Sequence, residues 1–243
     1  MISVIIQIRM GSTRLSNKSF LNLNGNPLIF HVIDRIKYSK KIDQIIVATT
    51  TNPIDNKIET WCNENNVECF RGSEDNVLKR YYDCAKKYKS DYIVRITGDD
   101  PFKDYRMIDN AIENLLVSKN DFVCNNSPVS FPEGLDVEVF TFDTLAKIYE
   151  NANSQEYKEH VTLYVHKNKS LFKIHNFKNF KNLSNYRWTI DYPEDYIFTK
   201  KIYKALYKKD KVFLTEDIYK LLEDNPNLLL INNKLNKSTL YEK

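Results

Sequence analysis

The chain has 243 residues, of which 42% are hydrophobic and 28% charged, with a formal net charge of +4. That length can bury a full core without disulfide or metal staples, so one large domain, or one domain with a small appendage, is expected. The lysines are spread out and mostly alternate with acids, without a dense basic stripe carrying interleaved aromatics, so no nucleic-acid partner is expected.

The four cysteines, Cys62, Cys69, Cys84 and Cys124, lack CxxC or any other metal-ligand spacing. They read as buried free thiols in a reducing compartment. No basic region precedes an apolar stretch at the N-terminus, and no apolar run reaches the span of a membrane helix. A cytoplasmic location without a membrane partner is the expectation.

Residues 2–8 are apolar and β-branched, the pattern of a buried strand. A polar loop runs on to Lys18. Pro27 opens a helical pattern that places Leu28, Ile29, Val32, Ile33 and Ile36 on one side. Residues 45–49 read as a second buried strand, and Pro53 and Asp55 open a helix with Ile54, Ile58 and Trp61 as its apolar face. A short strand over 67–70 follows, then a helix marked by Val77, Leu78, Tyr81 and Ala85, then a strand over 92–96. This strand–helix alternation predicts an α/β fold with a mostly parallel central sheet covered by helices on both faces. Ligands of such sheets bind beyond the carboxyl ends of the strands.

The rhythm changes after Pro101. A helix over 108–116 and a strand over 122–124 are expected, then a half-exposed strand over 135–140 that alternates apolar and acidic residues. Helices are expected over 144–149 and 157–166, and alternating or apolar strands over 172–177 and 186–190. Pro193 and Thr215 start two further helices. The stretch from Asn232 to Lys243 is polar and reads as a mobile tail.

Two kinds of loop carry the chemistry. Arg9, Met10, Gly11, Ser12, Thr13, Arg14, Leu15, Ser16, Asn17 and Lys18 leave the first strand. Gly11 lets backbone N–H groups approach an oxyanion, Arg14 can fork two phosphate oxygens, and Lys18 adds a point charge. The loop is not a Walker A sequence, because the Gly-Lys-Ser/Thr ending is missing. Asp99, behind Gly98, and Asp191, before Pro193, each end an apolar strand. Magnesium takes one or two carboxylates and fills its other positions with phosphate oxygens and water. Carboxylates from two strands opposite a cationic loop suit a nucleoside triphosphate and magnesium, which points to nucleotidyl transfer.

Other positions leave two readings open. Ser73 and its neighbours could cap the next helix or touch a base or ribose. Asp136 and Glu138 alternate on one strand face, either as a solvent face or as a site for acceptor hydroxyls. His160 lies in a helical stretch, where packing competes with a functional role.

Taken together, several segments resemble the spore-coat polysaccharide cytidylyltransferases of SpsF type, relatives of the acylneuraminate and 3-deoxy-manno-octulosonate cytidylyltransferases. The matching segments are 7–15 with Lys18, 70–75, 95–99, 134–140, 159–162, and 187–191 with Pro193, Glu194 and Asp195. They stand in family order over residues 2 to about 200. The resemblance implies a nucleotide-diphospho-sugar transferase fold, CTP, magnesium, and transfer of CMP to a sugar with release of pyrophosphate for surface polysaccharide. The expected acceptor is the anomeric hydroxyl of a 2-keto-3-deoxy sugar acid. The resemblance further implies Arg14, Lys18 and Asp99 as catalytic groups and Asp99 and Asp191 as magnesium ligands. Nucleotide contacts would come from Ile8, Arg9, Met10, Gly11, Ser12, Arg14, Lys18, Arg71, Ser73, Asp75 and Thr97. Acceptor contacts would come from Asp136, Glu138, His160 and Arg187. Residues 1–230 are then expected as one nucleotidyltransferase domain, with acceptor binding or dimerisation within about 120–190 and a polar tail over 231–243; a homodimer is a possible assembly.

The chain departs from the family pattern at three places. Ile8 stands where alanine is common, Ser16-Asn17 where Pro-Gly is common, and Thr97 where the octulosonate enzymes have glutamine. A sugar-phosphate nucleotidyltransferase using GTP or another triphosphate, and a metal-dependent glycosyltransferase, are the alternatives.

Overall fold

A computed structural model describes residues 1–12 and 14–235. Thr13 of the basic loop and residues 236–243 of the expected tail lie outside the described residues.

Strand β1 (Ile2–Gln7) runs into the basic loop, and a short hairpin of β2 (Asn22–Leu23) and β3 (Asn26–Pro27) delivers helix α1 (Leu28–Ile36). The chain continues through β4 (Gln44–Thr50), α2 (Asn56–Glu64), β5 (Glu68–Gly72), α3 (Val77–Lys87) and β6 (Tyr92–Thr97). Next come α4 (Tyr105–Ser118), β7 (Phe122–Cys124), β8 (Glu138–Thr141), α5 (Phe142–Asn151), α6 (Gln155–Glu159) and α7 (Leu163–Lys167). Strand β9 (Ile174–Asn176) and helices α8 (Pro193–Leu206) and α9 (Thr215–Asp224) complete the order.

Seven strands form one sheet in the order β5-β4-β1-β6-β8-β7-β9. Strands β5, β4, β1 and β6 are parallel, β8 is antiparallel to both β6 and β7, and β9 runs parallel to β7. The chain moves outward from β1 through β4 to β5, then returns to place β6 on the other side of β1. That reversal opens a crevice at the carboxyl ends of β1 and β6, where open α/β sheets bind ligands.

The central strands are apolar along their whole length because both faces are covered. Val4 and Ile6 of β1 enter one core with α1, α2, α4, α8 and α9, whereas Ile5 enters the other with α3, α5 and α7. All four cysteines are free, and Cys62, Cys84 and Cys124 are buried. Among the described residues no helix is long and apolar enough to cross a membrane.

Three expectations are corrected. The alternation over 135–140 belongs to a covered strand. Leu135, Val137 and Val139 enter one core, while Glu138 and Phe140 are equally buried on the opposite face. The helix expected over 157–166 divides into α6 and α7 around the turn at His160. Residues 186–190 are extended but join no sheet; a single bridge pairs Arg187 with Glu133. Trp188 N–H donates to the Glu133 carbonyl at 2.7 Å, and Ile190 N–H to the Asp99 carbonyl at 2.9 Å. Gly134 makes this approach feasible: its φ is +100°, and a Cβ there would lie 2.7 Å from the Trp188 carbonyl carbon.

At the other end of the described chain, Asn232 is buried rather than part of a free polar stretch. Its side-chain amide donates to the Arg187 carbonyl and to Asp195, each at 3.0 Å.

Candidate active site

The basic loop closes over the β1/β6 crevice. Asn17, just before Lys18, sits at φ 54°, in the left-handed region. Asparagine tolerates that conformation better than other residues with a side chain. It therefore makes a turn after which Lys18 points inward to Asp99 and Asp191. Ile8 has its own partner: a Cβ at Gly98 would lie 2.9 Å from the Ile8 Cβ. The larger side chain at position 8 thus fills the space that glycine leaves at position 98.

Lys18 is the centre of the arrangement. Its Nζ donates to Asp99 Oδ2 at 2.6 Å, to Asp191 Oδ1 at 2.9 Å and to the Ile190 carbonyl at 3.1 Å. Two carboxylates distant in sequence therefore meet on one cation. Burial works against the ammonium, but Asp99 and Asp191 outweigh it and hold its pKa above the usual lysine range. Burial likewise opposes ionisation of Asp99, and the Lys18 charge overrules it, so that carboxyl lies below its usual range. Arg14 adds a second cation: its Nη2 is 3.0 Å from Asp191 Oδ1, and its guanidinium lies 5.4 Å from the centre of the Tyr192 ring.

The Asp191 turn is held from behind. Arg187 is buried and reaches Glu133 at 2.7 Å, Asp195 at 2.9 Å and Asp191 Oδ2 at 3.2 Å. Asp195, in the first turn of α8, accepts the backbone N–H groups of Asp191 and Tyr192. Acids are favourable at a helix N-terminus, and here one also fixes the preceding loop. Arg187, expected to touch the acceptor, is thus a positioning residue for Asp191.

The structure brings Ile8, Arg9, Gly11, Ser12, Arg14, Lys18, Thr97, Asp99, His160 and Asp191 to one cleft. Burial lowers the pKa of the half-buried His160 imidazole, which favours its neutral form. Other expected site residues lie elsewhere. Met10 is buried in the core, its N–H donating to Asp55 at 2.7 Å. Arg71 staples the loop between β4 and α2, donating to the Thr50 and Asn52 carbonyls and to Asn56 and Glu59. Ser73 Oγ accepts from the Asn76 N–H, and the Asp75 carbonyl accepts from Gln155, so this segment shapes the entry to α3. The Asp136 carbonyl holds the buried Lys103, while burial pushes the Asp136 carboxyl up to about 7.

Glu138, expected as an acceptor contact, is 1% exposed. It accepts from Arg95 at 2.7 Å, from Thr162 at 2.9 Å and from Asn126 at 3.2 Å, with His166 Nε2 3.1 Å away. Burial opposes its ionisation, but Arg95 and these other partners hold the carboxyl below the usual range. Glu138→Gln is expected to cost about 3–5 kcal/mol, because it removes a buried carboxylate that is ion-paired with the part-buried Arg95 guanidinium. Urea denaturation at neutral pH measures this, and a loss below about 1 kcal/mol would remove the assignment. A depressed carboxylate stabilises fully above its ordinary pKa and loses that contribution as pH falls, so the wild-type advantage over the variant should shrink on acidification.

Sequence reading missed Gln7, Arg80, Arg95 and Glu159, which also line the cleft. Gln7 and Arg95 carried a signal, as lone polar residues within apolar strands. Arg80 carried none, since an arginine on a helix is ordinarily solvated.

A mostly parallel α/β sheet with its cleft at this switch point is the nucleotide-diphospho-sugar transferase architecture of nucleotidyltransferases. The chain belongs to the cytidylyltransferase family, which it matches over residues 3–229. It is 39% identical over 242 residues to an uncharacterized protein of Methanocaldococcus jannaschii, covering 98% of this chain and 97% of that one. It is 32% identical over 230 residues to the spore coat polysaccharide biosynthesis protein SpsF of Bacillus subtilis, covering 92% and 94% of the two chains. A solved cytidylyltransferase of Leptospira borgpetersenii superposes with a TM-score of 0.90 at 33% identity, covering 98% of each chain. A CMP:2-keto-3-deoxy-manno-octonic acid synthetase structure complexed with CTP shares the fold at a TM-score of 0.65 and 15% identity, covering 84% of this chain and 98% of that one.

Proposed function

We propose that the protein transfers CMP from CTP to the anomeric hydroxyl of a 2-keto-3-deoxy sugar acid, releasing pyrophosphate, in the supply of a surface glycan. The observation that carries this reading is the meeting of Asp99 and Asp191 on the single Lys18 ammonium. Two carboxylates turned toward one cation are a donor set of the kind that would hold a magnesium ion. Bound there, magnesium would supply Lewis-acid charge to the phosphate oxygens.

The acceptor oxygen attacks the α-phosphorus, the bond from that phosphorus to the pyrophosphate oxygen breaks, and the hydroxyl proton passes to solvent. Charge moves onto the departing pyrophosphate, and Arg14 and Lys18 would meet it. Lys18 therefore has two duties: counter-ion to the aspartates before substrate arrives, and phosphate ligand afterwards. The neutral His160 imidazole offers a hydrogen bond within the same cleft, whereas the Thr97 hydroxyl already donates to Asp100.

The test is pyrophosphate release from CTP with magnesium and a panel of 2-keto-3-deoxy sugar acids and sugar phosphates. Release that needs both CTP and a sugar acid is the expected result. Release from GTP or another triphosphate but not from CTP would overturn the reading. So would consumption of a nucleotide sugar without pyrophosphate.

A further inference from the structure

Two of the four thiols meet. Cys62 lies in the last turn of α2 and is fully buried. After it the chain reverses through Asn66, at φ 54°, and the Val67 N–H donates back to the Cys62 carbonyl at 2.9 Å. That closure returns the chain beside α2 as β5. Cys69 stands in register with Val47 of β4, which enters the same core as Cys62, and Cys69 packs against that core. Its successor Phe70 packs against the opposite one. Strand alternation therefore turns Cys69 toward α2, and the Cys62 thiol is hydrogen-bonded to its sulfur.

The two sulfurs are unlike. Cys62 is shut off from solvent, whereas Cys69 is partly exposed on β5, the edge strand of the sheet. The bond from Cys62 favours a thiolate at Cys69, and the Arg71 and Lys87 charges add to it. Burial and the Glu59 carboxylate act the other way and are outweighed, so the Cys69 thiol lies below its usual range. Donation to Cys69, with burial, keeps the Cys62 thiol protonated. Cys84 and Cys124 are buried, and burial pushes each up to about 12. The thiolate is the form that attacks, so reactivity is concentrated at Cys69. An accessible thiolate beside a second, protonated thiol is the arrangement of a redox-sensitive pair.

We propose that Cys69 is a site of oxidation by hydroperoxides and that Cys62 resolves the product into a Cys62–Cys69 disulfide. The Cys69 sulfur attacks one peroxide oxygen and the O–O bond breaks. The other oxygen leaves as hydroxide and takes a proton from solvent. The sulfur is thereby oxidised to a sulfenic acid and the peroxide is reduced. The Cys62 sulfur then attacks the Cys69 sulfur. The S–O bond breaks, and the hydroxyl departs as water with the Cys62 proton. A thiol reductant reverses the bond by exchange. Neither cysteine lines the cleft that holds Lys18 and Asp99, so this chemistry is separate from nucleotidyl transfer.

Exposure of the full chain to hydrogen peroxide at neutral pH, followed by denaturation, alkylation of the remaining thiols and tryptic mass mapping, tests this. Both cysteines fall in one tryptic peptide, 58–71. That peptide should appear without alkyl groups and two hydrogens lighter than its reduced form, and dithiothreitol should restore it. Cys69 should be consumed at least about 10-fold faster than Cys84 or Cys124. In Cys62→Ser the reaction should stop at the sulfenic acid, captured on Cys69 by dimedone. In Cys69→Ser, Cys62 should stay unmodified. The wild-type peptide reports the bond directly, so the test stands even where a variant fails to fold. Loss of all four thiols at one rate overturns the proposal. So does a dimedone adduct on Cys62, a disulfide between two chains, or a peptide that stays fully alkylated after peroxide.

Discussion

Asp99→Asn should reduce pyrophosphate release by about 10³-fold while leaving the fold intact, the scale on which removal of one preorganised electrostatic group acts. The substitution is nearly isosteric. The backbone carbonyl of residue 99 still accepts the Ile190 N–H, so the two halves of the site stay joined. What is lost is one of the two charges that meet on a common cation. In the wild type the Lys18 charge keeps Asp99 below its usual range against the pull of burial, so the group is fully ionised at neutral pH. The assay is pyrophosphate release at saturating magnesium, with a thermal melt as the control for folding. Near-wild-type turnover under those conditions would remove Asp99 from the catalytic set.

Lys18→Ala acts on the other side of the same contact. It should weaken CTP binding by about 10²-fold, as expected for loss of a charge-assisted contact to phosphate worth about 2–5 kcal/mol. Affinity for the sugar should change little. The variant also leaves Asp99 and Asp191 facing each other without the ammonium that separates them. Like charges so placed repel, and a divalent cation relieves them. Added magnesium should therefore raise the melting temperature of Lys18→Ala more than that of wild type. Equal losses in CTP and sugar binding, with no extra response to magnesium, would reduce Lys18 to a structural role.

Much of this architecture was legible in the residues. The apolar runs of β1, β4 and β6 gave the parallel half of the sheet, because strands covered on both faces leave no ambiguity about burial. Arg14, Lys18 and Asp99 were legible as charges in the loops that follow β1 and β6, and Asp191 as a charge ending an apolar stretch. Residues 135–140 misled, since an acid that alternates with apolar neighbours looks solvated. Glu138 is buried because Arg95, from an adjacent strand, neutralises it, and cross-strand pairing leaves no local trace. Arg187 misled for a similar reason: its partners Glu133 and Asp195 flank it only after folding. Arg71 was carried by its motif, yet its guanidinium is spent on the carbonyls of Thr50 and Asn52.

The backbone bond from Ile190 to Asp99 has a bearing on biosynthesis. Ribosomes deliver the basic loop early and the second aspartate late. A nascent polypeptide that has emerged only through the Gly98-Asp99 turn after β6 carries Arg14, Lys18 and Asp99 but lacks Asp191. The pairing of Asp99 with Asp191 is thus complete only when the Arg187–Asp191 stretch lies against Gly134.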